Sequence, residues 1–173
     1  MPGRTPSQTI GPFFHEALRW HEGASVAFAK AGKRIVITGR VTDGDGEAVN
    51  DAMIETWQRP PQGCGPEPAQ GSARPYGFGR LETAPDGTFR IETSLPAGEA
   101  PSIDVALFSR GLLKPLRTRV YLAPAERLRE DPVIKALGNS PRVKTLIAAQ
   151  TGEDTYKWNV RLQGEGETVF FAF

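Results

Sequence analysis

Residues 33–58 read KRIVITGRVTDGDGEAVNDAMIETWQ, and this stretch decides the fold class. It opens with KRIVITGRV, a run rich in β-branched side chains, which favour strands. The sequence DGDG follows at residues 43–46, and Asp-Gly pairs supply the positive φ angles that tight turns between strands need. A second strand is predicted at residues 52–57, and it ends before Pro60 and Pro61. The stretch therefore predicts two β-strands joined by a tight turn.

Further strands are predicted along the chain, separated by turn sequences. Pro-Asp-Gly at residues 85–87 and Gly-Glu-Gly at residues 164–166 are two such turns. Gly occurs 19 times and Pro 15 times, which favours many turns over long helices. About eight short strands predict an all-β protein, a β-sandwich. The predicted strands are residues 33–41, 52–57, 78–83, 88–93, 103–108, 117–122, 158–162 and 168–171.

A small helical insert is predicted near residues 125–150. Asp131 precedes Pro132, and Ser140 precedes Pro141. Each pair places an N-cap residue before a proline in the first helical position. The predicted helical segments are residues 125–130, 133–137 and 142–149.

Length and charge fit one globular domain with an extended N-terminal arm. We assign residues 1–32 to the arm and residues 33–173 to the sandwich domain. Lys and Arg number 21 against 20 Asp and Glu, so nucleic acid and anionic membranes are not expected partners. No stretch approaches the ~18 apolar residues of a membrane span. Cys64 is the only cysteine, and a reducing, cytoplasmic setting is expected.

Three groups of residues invite a metal or acid–base hypothesis. His15 and His21 are six residues apart, which on a helix leaves their imidazoles about 120° apart, so a solvated segment is favoured. Residues 43–47 have the alternating acids of a calcium loop, but Ala48 stands where that loop needs glycine, so a turn is favoured. Glu55 has no acid–base companion and is expected to pair with a cross-strand Arg or Lys.

Arg110 is a candidate binding residue. It follows the apolar run at residues 103–108 and precedes Gly111, so it projects from a strand end into a loop. A cation in this position can bind an anionic ligand group. From the residues alone, a solvated or ion-paired arginine is the favoured interpretation.

Several motifs resemble the intradiol ring-cleavage dioxygenases. They are GRVTDGDGEAVNDAMIETWQ at residues 39–58, Phe-Gly-Arg at 78–80, Asp-Gly-Thr-Phe at 86–89, and the strand pattern of residues 102–122. The two ends are more specific. TPSQTIGPFF at residues 5–14 and QGEGETVFFAF at residues 163–173 resemble the alpha subunit of the two-chain family members that act on protocatechuate.

This resemblance implies a β-sandwich subunit of a heteromeric enzyme. In such enzymes a homologous beta subunit holds Fe(III) with two tyrosines and two histidines. The ring of protocatechuate (3,4-dihydroxybenzoate) opens with O2 between its hydroxylated carbons to give 3-carboxy-cis,cis-muconate. The alpha subunit lines the active site of the beta subunit, and the heterodimers assemble further. The expected cofactor is therefore Fe(III) bound by the partner beta subunit and not by this chain.

This chain departs from the iron-bearing pattern at each ligand. By the match, the two histidines of the ferric chain fall on Ser102 and Asp104. The two ligand tyrosines have no counterpart. One belongs a few residues beyond residues 94–96, where this chain is too short, and the other belongs in the loop at 59–77, where Tyr76 lies too close to the Phe-Gly-Arg motif. No metal ligand and no catalytic residue is therefore expected in this chain, which is expected to be inactive when isolated.

The resemblance assigns four residues of this chain to the substrate pocket. Gly11 permits close backbone approach, Pro12 fixes the turn beyond it, and Thr9 can hydrogen-bond at the rim. Arg110 places positive charge near the benzoate carboxylate, which reverses the interpretation of Arg110 from the residues alone.

Two further hypotheses stay open at this point. The first is a non-enzymatic β-sandwich binding or adaptor module derived from the dioxygenase scaffold. The second is a self-sufficient metal enzyme that uses His15, His21 and Asp104.

Overall fold

The computed structural model describes residues 18, 23–25, 32–61 and 77–172, and in these ranges two β-sheets pack against each other. This confirms the predicted all-β sandwich. The strands of the described ranges are β1 Arg34–Thr42, β2 Met53–Gln58, β3 Phe78–Glu82, β4 Thr88–Ser94, β5 Ser102–Phe108, β6 Leu116–Tyr121, β7 Ala149–Gln150, β8 Thr155–Lys157 and β9 Val160–Arg161.

The two sheets differ in topology. The first has the order β4-β1-β8-β7, with β9 also paired to β1. Here β1 pairs antiparallel with β4 but parallel with both β8 and β9. The second sheet has the order β3-β2-β5-β6 and is antiparallel throughout. We call the side of this second sheet that faces away from the core its outer face.

Strict alternation of side chains builds the core between the sheets. In β5, Ile103, Val105 and Leu107 are buried, whereas Asp104 is exposed on the outer face. The other long strands add eight further residues to this core, which are Ile35, Ile37, Val41, Ile54, Leu81, Phe89, Ile91 and Val120.

Gly39 allows β1 to pair with other strands on both of its edges. The amide of Trp158 donates to the carbonyl of Thr38 over 2.8 Å, which brings the two backbones together. A Cβ atom at Gly39 would lie 1.8 Å from the carbonyl oxygen of Trp158. Only glycine leaves room for this approach.

The helical insert covers one end of the second sheet. It consists of a 3₁₀ segment at Ala125–Leu128, helix α1 at Pro132–Leu137 and a 3₁₀ segment at Pro141–Leu146. The predicted N-caps are confirmed, because the side chains of Asp131 and Ser140 accept from backbone amides in the first turn. The helix predicted at 142–149 was wrong in length, since the chain is extended again from Ile147 and enters β7.

The turn at residues 43–46 is confirmed, but the two strands on either side of it do not pair with each other. The Asp43 amide donates to the Glu47 carbonyl over 3.0 Å and the Val49 amide to the Val41 carbonyl over 3.0 Å. The chain then leaves β1 for the other sheet, where the Thr83 hydroxyl accepts from the Ala52 amide over 3.1 Å. β1 and β2 therefore lie in different sheets.

The strand predicted at residues 168–171 was wrong. This segment runs along the sandwich with a single bridge, between Phe171 and Arg117. Its Val169 amide donates to the Thr145 hydroxyl and its Val169 carbonyl accepts from the Thr118 hydroxyl. Side chains thus satisfy backbone groups that a ladder would otherwise pair.

Most of the predicted arm lies outside the described residues. Gly23, Ala24 and Ser25 are described, and they lie against the two sheets. The carbonyl of Gly23 accepts from the Arg80 amide of β3, and that of Ala24 accepts from the Glu92 amide of β4, each over 2.9 Å. Of the helices in the described ranges, none is long and apolar enough to cross a membrane.

Candidate functional site

Arg110 lies in a tight turn at the end of β5. The Leu112 amide donates to the Ser109 carbonyl over 3.2 Å, so Arg110 and Gly111 form the centre of the turn. Gly111 has a φ of 82°, which suits the third position of such a turn. The side chain of Arg110 is 66% exposed, as expected for a cation that projects from a strand end.

Asp51 holds the guanidinium of Arg110. In the antiparallel pair β2–β5, Met53 lies opposite Phe108. Asp51 and Arg110 each lie two residues further out and so face each other. The Nε of Arg110 donates to Asp51 Oδ2, and the hydroxyl of Ser109 donates to Asp51 Oδ1 over 3.0 Å. With Nε in this ion pair, the two terminal nitrogens of Arg110 remain as donors for a ligand.

A second group of polar residues lies near the opposite end of β5, on the outer face. Arg119 of β6 lies opposite Asp104, and its Nε donates to Asp104 Oδ1 over 2.6 Å. The hydroxyl of Tyr121 donates to Asp131 Oδ1 over 2.6 Å. Arg119 and Tyr121 are also hydrogen-bonded to each other. We call Asp104, Arg119, Tyr121 and Asp131 the polar cluster.

Burial and pairing fix the charges in the polar cluster. Burial alone would lower the pKa of Arg119, but its hydrogen bonds to Asp104 and Tyr121 outweigh this and raise it. Burial raises the pKa of Tyr121, and the hydrogen bond to Asp131 raises it further. Arg119 therefore stays charged and Tyr121 neutral over the ordinary pH range. The carboxylate of Asp104 is thus already paired with a cation of the same chain.

The polar cluster borders a cleft of about 610 Å³. Trp57 forms part of its wall, and this indole is 47% exposed. The indole packs on Phe78, with ring centroids 4.5 Å apart. The cleft has the size of a small-molecule site and combines an aromatic wall with paired charges.

The described residues that line this cleft do not fit a ferric ion. Ser102 and Asp104, where the resemblance places the two histidine ligands, both lie on β5 beside the cleft. Ser102 offers a neutral hydroxyl, and Asp104 is bound by Arg119, whose charge repels a metal cation. Within the described ranges, no group of three or more His, Cys, Asp or Glu residues is placed to hold a metal. A guanidinium thus lies where iron would need anionic and imidazole ligands.

The length of β5 separates Arg110 from the polar cluster. The four steps from Asp104 to Phe108 span about 13 Å at the rise of a β-strand. Arg110 lies two residues beyond Phe108, at the end of the strand that the cleft does not reach. The structure therefore does not bring Arg110 together with Ser102 and Asp104.

The remaining sequence candidates have clear outcomes. Glu55 Oε1 accepts from Arg80 of β3, at 2.9 Å from Nε and 2.7 Å from Nη2, which confirms the predicted cross-strand ion pair. The acids of residues 43–47 form a turn, with Asp43 Oδ1 accepting two backbone amides. Candidates that lie outside the described residues are Thr9, Gly11, Pro12, His15, His21, Cys64 and Tyr76.

Sequence reasoning missed the partners of the two arginines. Asp51 precedes the predicted strand at 52–57 by one residue, so its position opposite Arg110 depends on the register of β2 against β5. Asp104 and Arg119 likewise meet only through the register of β5 against β6. The signal that was available is charge complementarity between outward positions of neighbouring strands.

Comparison with known proteins places the chain among dioxygenases. A dioxygenase family model matches residues 10–106. The chain is 34% identical to the protocatechuate 3,4-dioxygenase alpha chain of Pseudomonas putida, over 98% of this chain and 96% of that protein. It is 37% identical to the Burkholderia cepacia alpha chain, over 97% and 96%.

Weaker similarity extends to a beta chain and to solved structures. The chain is 25% identical to the protocatechuate 3,4-dioxygenase beta chain of Burkholderia cepacia, over 94% of this chain and 77% of that protein. The dioxygenase domain of a carbohydrate-binding fusion protein from Streptomyces sp. SirexAA-E has the same fold, with a TM-score of 0.64, 20% identity, and coverage of 94% and 99%. This chain therefore belongs to the intradiol dioxygenase family, together with the alpha chains of protocatechuate 3,4-dioxygenase.

Proposed function

We propose that this chain is the alpha subunit of a heteromeric protocatechuate 3,4-dioxygenase. It lines the active site of a homologous beta subunit that holds Fe(III), and it binds no iron itself. Similarity to both an alpha and a beta chain supports an alpha/beta heteromer. The cytoplasm as location, and the assembly of heterodimers into a larger particle, belong to the same proposal.

The separation of Arg110 from this chain's own cleft carries the proposal. The positions that would bind iron here hold Ser102 and the Asp104–Arg119 ion pair. Arg110, in contrast, presents an exposed cation at the far end of β5. A cation so placed suits a ligand that is held mainly by another chain.

Arg110 binds the carboxylate of protocatechuate in this proposal. The Asp51 contact uses Nε and leaves the two terminal nitrogens, whose geometry matches a carboxylate. Such a charge-assisted contact contributes about 1.5–3 kcal/mol when water is excluded. Thr9, Gly11 and Pro12 complete this chain's share of the pocket wall, on the resemblance alone. O2 and the ring-opening chemistry belong to the beta subunit.

The full length of the similarity favours a dioxygenase subunit over a non-enzymatic binding module. It covers 98% of this chain and 96% of the Pseudomonas putida alpha chain, so both ends of the chain are included.

Kinetics of the co-expressed complex test the role of Arg110. We expect Arg110→Ala to lower kcat/KM for protocatechuate about 10–100-fold, since the lost contact weakens binding of the carboxylate. Iron content should not change. Arg90→Ala is the matched control, because Arg90 is also exposed and ion-paired, to Glu92, but lies on the other sheet. Equal kinetics of Arg110→Ala and wild type would remove Arg110 from the pocket.

A further inference from the structure

Asp51 occupies a fixed position in front of β2. The next residue, Ala52, is buried, and its amide donates to the Thr83 hydroxyl over 3.1 Å. The Ala52 carbonyl in turn accepts from the Thr83 amide over 3.0 Å. These two hydrogen bonds tie the backbone next to Asp51 to the end of β3.

The two carboxylate oxygens of Asp51 bind two consecutive residues of the turn after β5. Oδ1 accepts from the Ser109 hydroxyl over 3.0 Å, and Oδ2 accepts from Arg110 Nε. Ser109 is buried, and the side chain of Asp51 is only 16% exposed. The carboxylate therefore belongs to the rigid base of the turn, whereas the guanidinium, with its side chain 66% exposed, reaches into solvent.

An unpaired arginine at this position would lose much rotamer freedom on binding a ligand. A long side chain has many rotamers, and a bond to Nε removes part of that freedom before the ligand arrives. The bond to Nε also orients the edge of the guanidinium at which the terminal nitrogens lie. Both effects favour binding of a planar carboxylate.

We propose that Asp51 is a positioning residue for substrate recognition. It holds Arg110 through Nε so that the terminal nitrogens meet the carboxylate of the aromatic substrate. This inference rests on the proposed function, because it assigns to Asp51 the orientation of the cation that contacts substrate. Asp51 itself does not contact substrate; its effect passes through Arg110.

The test compares two ligands in the co-expressed complex. Protocatechuate carries a carboxylate and 4-methylcatechol does not, and the latter is measured as a substrate or as a competitive inhibitor. We expect Asp51→Asn to raise KM for protocatechuate about 5–10-fold with little change in kcat. The constants for 4-methylcatechol should change less than twofold. Asp51→Asn preserves side-chain volume, so the fold should be kept, and the thermal midpoint and iron content report on this directly.

A double variant shows whether Asp51 acts through Arg110. In an Arg110→Ala background, Asp51→Asn should have no further effect on KM for protocatechuate, since the group that it orients is absent. Asp51→Glu, which keeps the charge, should recover part of the loss.

The outcomes separate the two proposals. An equal loss for both ligands, or an additive effect in the double variant, would show a merely structural role for Asp51 and overturn the inference. An unchanged KM in Asp51→Asn with a raised KM in Arg110→Ala would also overturn it, while the proposed function stands. Unchanged kinetics in Arg110→Ala would remove the proposed role of Arg110 itself.

Discussion

At the scale of single residues, Arg110 and Arg119 show how surroundings decide the use of a charge. Arg119 is bound by Asp104 and Tyr121, and its side chain is 27% exposed. Its charge therefore serves contacts within the fold. Arg110 shares only Nε with Asp51 and is 66% exposed. Its charge is therefore available to a ligand from outside the chain.

Tyr121 predicts a loss of stability at alkaline pH. Its pKa in the folded chain is raised above the ordinary value of 10.0 by burial and by the hydrogen bond to Asp131. The resulting stabilisation is fully present below pH 10, and it is lost as the pH rises from there through the folded pKa, because the unfolded chain releases the proton first. Urea unfolding of the full chain at pH 8 and at pH 10.5 measures the loss. Tyr121→Phe should lose less stability than wild type over this interval, and equal losses would contradict the assignment.

Replacing either of two buried threonines by valine should change stability, in opposite directions. In the described residues, the Thr56 hydroxyl has no hydrogen-bond partner, although Thr56 is buried in the sandwich. Thr56→Val should therefore raise the free energy of unfolding by about 1 kcal/mol, since an unpaired polar atom leaves the core. Thr118 is equally buried, but its hydroxyl donates to the Val169 carbonyl over 2.7 Å. Thr118→Val should lower the free energy of unfolding by about 1–3 kcal/mol. Denaturant titration compares the pair, and the same sign for both would contradict this account.

At the scale of elements, the longer strands were predicted from β-branched and apolar runs bounded by turn sequences. The six strands β1 to β6 have 5 to 9 residues, and each coincides with a predicted run to within two residues at either end. β7 and β8 have 2 and 3 residues, too few to stand out as a run between turn sequences, and they were missed. Tyr156 of β8 is buried and lies opposite Ile37 of β1, so β8 is fixed by a contact between distant parts of the chain.

The site was predicted less completely than the fold. Arg110 stood out because a charge follows an apolar strand and precedes glycine. Asp51 did not, because its role depends on the pairing of β2 with β5 across a chain separation of 59 residues. The local sequence determines the strands and the helix caps, whereas the register between paired strands determines which residues of the site meet.

Removing the N-cap residue of α1 should lower the stability of the helical insert through two lost contacts. Asp131 Oδ1 accepts from the Val133 amide over 2.9 Å and also from the Tyr121 hydroxyl. Asp131→Ala should lower the free energy of unfolding by about 1–2 kcal/mol, because α1 loses its cap and a buried phenol loses its partner. Ser140→Ala is the matched control, since Ser140 caps the 3₁₀ segment at Pro141–Leu146 through a single longer bond of 3.3 Å. Thermal unfolding should show the larger shift for Asp131→Ala, and the reverse order would contradict the role of Asp131.

At the scale of the whole molecule, this chain keeps the dioxygenase sandwich, and the described residues that line its cleft do not fit iron. Asp104 and Arg119 form an ion pair across β5 and β6. The proposed contribution to catalysis comes instead from the turn after β5. Under the proposed function, this chain depends on a partner subunit for its activity.

Iron content and ring cleavage in separate and combined chains test this dependence most directly. This chain and a homologous beta subunit are each purified alone and after co-expression, then assayed for iron and for O2 uptake with protocatechuate. The account predicts little iron and no ring opening with this chain alone, and iron with rapid O2 uptake in the complex. Stoichiometric ferric ion in this chain alone, with cleavage of protocatechuate, would contradict the account.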